Sequence, residues 1–296
     1  MPPRFFGVMF DHLRARFDKA GRPTRLMVLC RSPASWMRVF APDAPIWQGI
    51  EGVSETRLLR TTFDLWREGH SGGRQSLIMP LRERAIIRAP RGYWGLYPTP
   101  RAVRLFADKL AFARYGIHHG LEAHMPRQID PDAVSRFPVV VKEPNSAGGQ
   151  GVRIVNDRLD LARTLELAPF KGRRVVLQAF VEGPESVLHG VAVEGRVIWH
   201  RLYDYVTPPD LAVRTQFIEL PFVRREAPAE MLALVERFLA PVGYNGPFNA
   251  DFKLTADGSM LLEINPRFGG SIFREESLAD LQAAITQIVA RSRLVT

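Results

Sequence analysis

Residues 137–155 read FPVVVKEPNSAGGQGVRIV: a strand, a glycine loop and a second strand. Pro138 opens an apolar run, Val139 to Val141, whose β-branched side chains suit a pleated, well-buried strand, and Lys142 ends it. The stretch from Ser146 to Gly151 then supplies Gly148, Gly149 and Gly151, which admit positive φ and let backbone N–H groups come close to a ligand. Val152 to Val155 resume the β pattern. A lysine beside such a loop suits phosphate. The same residues also fit a hairpin with a flexible turn, and one short motif does not choose between the two.

Further along, FNADFKL (248–254) and SMLLEIN (259–265) alternate with period two about the turn Ala256-Asp257-Gly258. Asn249, Asp251 and Lys253 fall on one face, and Glu263 and Asn265 on one face of the partner strand. Asp251, Glu263 and Asn265 can therefore converge from two strands on one point. Magnesium takes oxygen ligands and shares its shell with substrate phosphates, which such a trio allows. Phe252, Leu254, Leu261, Leu262 and Ile264 interleave with the polar residues and read as the core face. The plainer alternative is a polar sheet surface facing solvent.

These two blocks, with LQAFVEGPE at 177–185 between them and LLEINPRFGG at 261–270 completing the second, resemble in order and spacing the ATP-grasp superfamily of carboxylate-amine ligases. The resemblance runs from about Pro98 to the C-terminus. It implies an α/β fold with a small N-terminal α/β domain over residues 1–97 and an ATP-grasp core of two lobes, 98–181 and 182–296, gripping ATP between them. In that scheme Lys109 and Lys142 bind phosphates, and the loop with Ser146, Gly148, Gly149 and Gly151 covers them. Gln178 stands where many relatives carry a glutamate that accepts from the adenine amino group, and the glutamine carbonyl can accept in the same way. The main chain at Ala179 and Val181 completes adenine recognition, and Glu185 accepts from the ribose hydroxyls. Asp251, Glu263 and Asn265 hold one or two magnesium ions, with manganese as a substitute, and Arg267 stabilises the transferring phosphoryl group. Arg201 and Arg214 are candidates to hold a substrate carboxylate.

The reaction implied is amide-type bond formation between a small-molecule carboxylate and an amine, through an acylphosphate, with release of ADP and phosphate. A kinase, a ligase acting on a carrier or peptide, and a nucleotide-binding module without turnover are the alternatives. Retention of both lysines and the three metal-ligand candidates argues against the last. G-x-x-x-x-G-K-[ST] and G-x-G-x-x-G are absent, which disfavours a P-loop enzyme or a dinucleotide-binding fold.

Composition sets the bounds. The 296 residues are 46% hydrophobic and 24% charged, enough for a large core divided among two or three lobes. The net charge is +9, but arginines are scattered and no run of consecutive basic residues exceeds two, so nucleic acid is disfavoured as a partner. The N-terminal apolar run Phe5 to Phe10 is too short for a signal segment or a membrane span, so a cytoplasmic protein is expected; a homodimer stays open. Cys30 is the only cysteine and reads as a buried thiol.

For the rest of the chain, TRLMVLC (24–30) reads as a buried strand, Ser54 to Glu68 as an amphipathic helix, and SLIMP and AIIR as two strands. Trp36, Trp47 and Trp94 read as packing residues. One helix is expected from Pro100 to about Tyr115, another over 157–168 with Leu159, Leu161, Leu165 and Leu167 inward, and a third over 226–242. Residues 186–206 read as a hairpin turning at Glu194-Gly195, followed by a long proline-bearing connection to 221. His118, His119 and His124 lack metal-ligand spacing.

Overall fold

In the computed structural model the described residues are 25–31, 33–50, 52–69, 76–90, 92–146, 148–208, 213 and 218–294. They form two compact units, one from the described part of 1–96 with 285–296 and the other from 97–284.

The first unit is built on a mostly parallel sheet. β1 (Arg25–Leu29) pairs in parallel with β2 (Glu55–Leu59) and β3 (Ser76–Pro80), and β3 with β4 (Trp94–Gly95). The short strand Arg293–Leu294 closes the edge beside β4, antiparallel to it. Three helices, α1 (Ala34–Val39), α2 (Thr62–Gly69) and α3 (Glu83–Ile87), lie in the connections. Two expectations are corrected. The helix expected over 54–68 begins only at Thr62, because Glu55–Leu59 joins the sheet. A reciprocal cap starts the helix: Thr61 N donates to Asp64 Oδ2 at 2.9 Å and Asp64 N to Thr61 Oγ1 at 3.1 Å. AIIR is helical, not a strand, because consecutive parallel strands need a crossover, and α3 lies within the one from β3 to β4. Trp36 and Cys30 are buried, and Trp47 Nε1 donates to Ala41 O at 2.7 Å, so both tryptophans pack within the unit.

In the second unit the helix expected from Pro100 to Tyr115 is two helices, α4 (Pro100–Ala107) and α5 (Lys109–His118). Asp108 breaks them, with φ −100° and ψ 112°, and caps α5 by accepting from the N–H groups of Leu110 and Ala111 at 2.9 and 3.0 Å. An antiparallel sheet follows, β5 (Val139–Lys142) lying between β6 (Val152–Val155) and β7 (Val176–Ala179). Val139, Val141, Val155 and Leu177 pack on one side with Leu161 of α6 (Arg158–Glu166). Of the four leucines expected to face inward, Leu159 and Leu167 are 60% and 62% exposed. Leu159 lies about 200° around the helix from Leu161, and Leu167 is already past the last turn.

The larger sheet is antiparallel throughout, in the order β10 (Phe222–Arg225), β9 (Arg196–Tyr205), β8 (Glu185–Val193), β11 (Gly246–Thr255), β12 (Gly258–Asn265). Its register sorts the side chains. Leu188, Leu202, Ala250 and Ile264 share one face and join a core with Phe106 of α4, Phe112 of α5 and Leu234 and Phe238 of α7 (Ala229–Leu239). Each such leucine, isoleucine or phenylalanine side chain, when fully buried, stabilises by about 1.5–3 kcal/mol. With one face closed by helices, polar side chains gather on the other.

A bulge between Asp251 and Phe252 shifts the pairing from Asp251↔Glu263 to Phe252↔Leu261, leaving Leu262 as the extra residue. Leu262, expected on the core face, is accordingly half-buried and outside the core cluster.

The β8–β9 turn has Glu194 at φ 49° and Gly195 at φ 78°. A Cβ on Gly195 would stand 2.3 Å from Ala240 Cα and 2.6 Å from its N, both backbone atoms at the end of α7. Gly195→Ala should therefore cost about 2–4 kcal/mol from left-handed strain and overpacking. A thermal unfolding midpoint equal to the parent's would show that the turn is not seated against the helix. Among the described residues no helix is long and apolar enough to cross a membrane.

Candidate functional site

The face of the larger sheet opposite the helix-packed core carries two rows of residues set by direct cross-strand pairing. One runs Arg224, Tyr203, Val187, Asp251, Glu263; the other runs Arg201, His189, Asn249, Asn265. Asp251, Glu263 and Asn265, at the β11–β12 end of the rows, are the expected metal ligands. Asn265 Nδ2 donates to Asp251 Oδ2 at 3.3 Å and to Glu263 Oε1 at 3.2 Å, and Asn249 Nδ2 donates to Asp251 Oδ1 at 3.1 Å. Among the described residues no three His, Cys, Asp or Glu side chains form a metal cage. Two carboxylates and an amide instead suit a hard cation that completes its shell with phosphate oxygens, once the Asn265 amide turns its oxygen inward.

Two lysines face this trio. Lys109 opens α5, where its backbone N–H donates to Pro144 O at 2.9 Å and its ammonium to Ser146 O, both at the glycine loop. The same ammonium lies 3.4 Å from Glu263 Oε2. Lys142 stands on the face of the smaller sheet turned away from its valine core, in line with Val140 and Gln178. Desolvation by the surrounding protein lowers its pKa, opposed by the carboxylates of Glu263, Asp251 and Glu185 and helped by the neighbouring Lys109 charge. For Glu263, burial alone would raise the pKa, but the Lys109 and Lys142 charges and the Asn265 hydrogen bond prevail and hold it down at about 2. The carboxylate is thus ionised and faces two cations.

The loop between β5 and β6 has Gly148, Gly149 and Gly151 at φ 66°, 72° and 63°, a backbone that other residues rarely adopt. Ser146 Oγ donates to Glu143 O at 3.1 Å, and Glu143 N to Gly151 O at 2.9 Å, closing the loop base. Ala147 lies outside the described residues.

Gln178 is 4% exposed, and its Oε1 is buried with no hydrogen-bond partner. A buried acceptor left open in this way calls for a donor from water or a ligand. The Ala179 N–H is already donated to Arg127 O at 2.9 Å, so this N–H is committed within the protein. Val181 lies just past the strand, half-buried, and Glu185 opens β8.

Arg267 follows the trio, its N–H donating to Asn265 O at 2.8 Å and its Nη1 to Phe268 O at 2.9 Å. Arg201, expected to meet a substrate carboxylate, is engaged by carboxylates of the protein: Asp280 Oδ1 at 3.2 Å from Nε, and Glu226. Arg214 lies outside the described residues.

The sequence reading missed several residues of this face. Asp280, in α8 (Leu278–Arg291), also takes Arg224 Nε at 3.0 Å and Tyr203 Oη at 2.8 Å. Buried His189 Nε2 meets Ser271 Oγ at 2.8 Å, and Gly269 passes so close that a Cβ there would lie 2.3 Å from Asn249 Oδ1. The period-two pattern of β8 and β9 could have placed His189 and Tyr203 on this face; nothing local pointed to Asp280.

Comparison with known proteins bears on the same elements. The ATP-grasp domain family matches residues 106–271, from the end of α4 past Asp251, Glu263 and Asn265. The chain belongs to the ATP-grasp family. This ATP-grasp chain is 28% identical over 148 residues to a D-alanine–D-alanine ligase of Pediococcus pentosaceus, covering 48% of this chain and 42% of that protein. It is 27% identical over 145 residues to dapdiamide A synthase of Enterobacter agglomerans, covering 46% of this chain and 34% of that one. The chain thus spans less than half the length of either relative. The solved structure of an L-amino acid ligase from Bacillus licheniformis aligns with a TM-score of 0.61 at 16% identity, over 92% of this chain and 75% of that one. A D-alanine–D-alanine ligase from Bacillus anthracis, complexed with ATP, aligns at 0.56 and 16% identity, over 89% and 98%. These likenesses establish an ATP-grasp fold of the α/β class.

Proposed function

We propose that this chain is an ATP-dependent ligase joining a small-molecule carboxylate to an amine, with ADP and phosphate as products. The observation that carries the reading is the convergence of Lys109 and Lys142 on the Asp251, Glu263 and Asn265 trio beside a positive-φ glycine loop. An anionic ligand would meet the two ammonium groups and the loop N–H dipoles, and a hard cation the Asp251 and Glu263 carboxylates. The unpartnered Gln178 Oε1 supports an amino-bearing base nearby.

ATP and magnesium fit the donor set: Asp251, Glu263 and Asn265 would hold the ion, Lys109, Lys142 and the loop N–H groups the phosphates, and Gln178 and the main chain near Ala179 and Val181 the base. Magnesium, when bound, would neutralise phosphate charge and help orient the γ-phosphate for attack. The substrate carboxylate oxygen attacks the γ-phosphorus, the bond to the β,γ-bridging oxygen breaks, and ADP leaves with that electron pair. The amine then attacks the acyl carbon, the acyl carbon–oxygen bond breaks, phosphate leaves, and the nitrogen loses a proton to solvent. The chain's residues act by charge and position, because phosphoryl transfer needs little covalent help from a protein. Arg267, anchored beside Asn265, would meet charge on the transferring group.

Acceptor-dependent turnover over a panel of carboxylate and amine pairs should release ADP and inorganic phosphate. Chromatography decides it: AMP with pyrophosphate would mean activation by adenylation and would refute the acylphosphate route.

A further inference from the structure

We propose that Lys253 is a positioning residue that fixes the Glu185 carboxylate for the ribose hydroxyls, so that the chain discriminates ribonucleotides from deoxynucleotides through a lysine that need not touch the nucleotide. The inference rests on the nucleotide reading of the site.

Lys253 and Glu185 stand directly opposite each other on β11 and β8, on the face of the sheet that carries Asp251. Lys253 Nζ donates to Gly183 O at 2.9 Å and lies 3.5 Å from Glu185 Oε1. The two side chains are only 14% and 17% exposed, so water screens the pair far less than it would a surface ion pair. The backbone adds a second tie, Leu254 N donating to Pro184 O at 3.0 Å. Gly183, at φ +137°, is needed for that approach, since a Cβ would lie 2.1 Å from Leu254 O. The segment 183–185, which leads from β7 into β8, is therefore seated on the strand that carries Asp251.

An ammonium has three donors. With one directed to a backbone carbonyl that cannot swing away, Lys253 fixes the carboxylate beside it. Carboxylate oxygens have about four lone-pair positions in all, so the pairing with Lys253 does not by itself fill Glu185. Without the lysine the carboxylate loses one of its ties, and the ordering left to the ribose lowers affinity. Lys253 and Asp251 are two residues apart on one face of one strand, which sets the ribose end of the site in register with its metal end.

Calorimetry of the full chain with magnesium and ADP, 2′-deoxy-ADP or 3′-deoxy-ADP tests this. The parent should prefer ADP to at least one deoxy analogue by on the order of tenfold. Lys253→Met should weaken ADP binding by about that factor, leave the analogue's affinity unchanged and so erase the preference; Lys253→Arg should restore part of it. Glu185→Gln should erase the same preference, and the double variant should be no worse than either single one. Should Lys253→Met fail to fold, Lys253→Arg and Glu185→Gln carry the comparison. Equal weakening of ADP and the deoxy analogues would make Lys253 merely structural and overturn the proposal, as would a parent without preference. Failure of the folded parent to bind any of the three nucleotides would instead overturn the nucleotide site itself.

Discussion

Lys142→Met should weaken magnesium-ATP binding by roughly ten- to hundredfold while leaving the stability of the ligand-free chain unchanged or slightly higher. The two halves of that result have one cause. Lys142 is desolvated on β5, and burial depresses its pKa, so holding the ammonium there costs the folded state. Methionine keeps the apolar stem in place and removes that cost. Glu263 is not left unpaired, because Lys109 lies 3.4 Å away and Asn265 still donates to it. When phosphate enters, the balance reverses: a desolvated ammonium in a partly dry site makes a charge-assisted contact that methionine cannot replace. Calorimetry and thermal unfolding on the same samples separate the two effects. Equal ATP affinity in a folded variant would remove Lys142 from the site, and a large loss of stability would make it a structural ion-pair partner.

The elements that sequence alone made legible are those whose side-chain period and turn chemistry agree. The strands around the glycine loop set apolar β-branched runs against residues that only a turn requires, and the Glu194-Gly195 and β11–β12 hairpins combine alternation with such residues. What stayed hidden depended on partners distant in sequence. Leu262 follows the period of its strand, but the bulge opposite Asp251 removes it from the core, and nothing local specifies a bulge. Asp108 sits inside a continuous helical pattern, yet its side chain caps the next helix. AIIR has strand composition and becomes a crossover helix because its neighbours are parallel. Within the site, residue types and alternation placed Asp251, Glu263 and Asn265 together, whereas the engagement of Arg201 by Asp280, 79 residues away, could be seen only in the fold. Lys253 alternated with the core residues in plain view, but its opposition to Glu185 depends on the β8–β11 register, which no hairpin turn fixes.

Glu263→Gln should lower turnover by about two to three orders of magnitude at a cost in stability that leaves the chain folded. The several kcal/mol that a correctly held ion contributes at the transferring phosphoryl group sets the first figure, at about 1.4 kcal/mol per factor of ten. The second follows from the ligand-free geometry. The folded-state pKa of Glu263 is depressed to about 2, so its carboxylate stabilises the fold at neutral pH, and that contribution disappears as pH falls from the ordinary glutamate range through the folded value. Glutamine gives it up at every pH, for an expected loss of about 1–3 kcal/mol. Asp251→Asn should reduce turnover similarly, since Asp251 and Glu263 are paired across β11 and β12 and both accept from Asn265. Ligands of one ion act together, so the double variant should lose much less than the product of the two single losses. Each variant should also require more magnesium for half-maximal ADP release. If the residues were independent surface carboxylates, single changes would shift stability by less than about 0.5 kcal/mol and leave both rate and magnesium requirement alone. Near-parental ADP release with an unchanged magnesium response would sink the metal assignment, and with it the reason for placing the phosphoryl group on this face of the sheet.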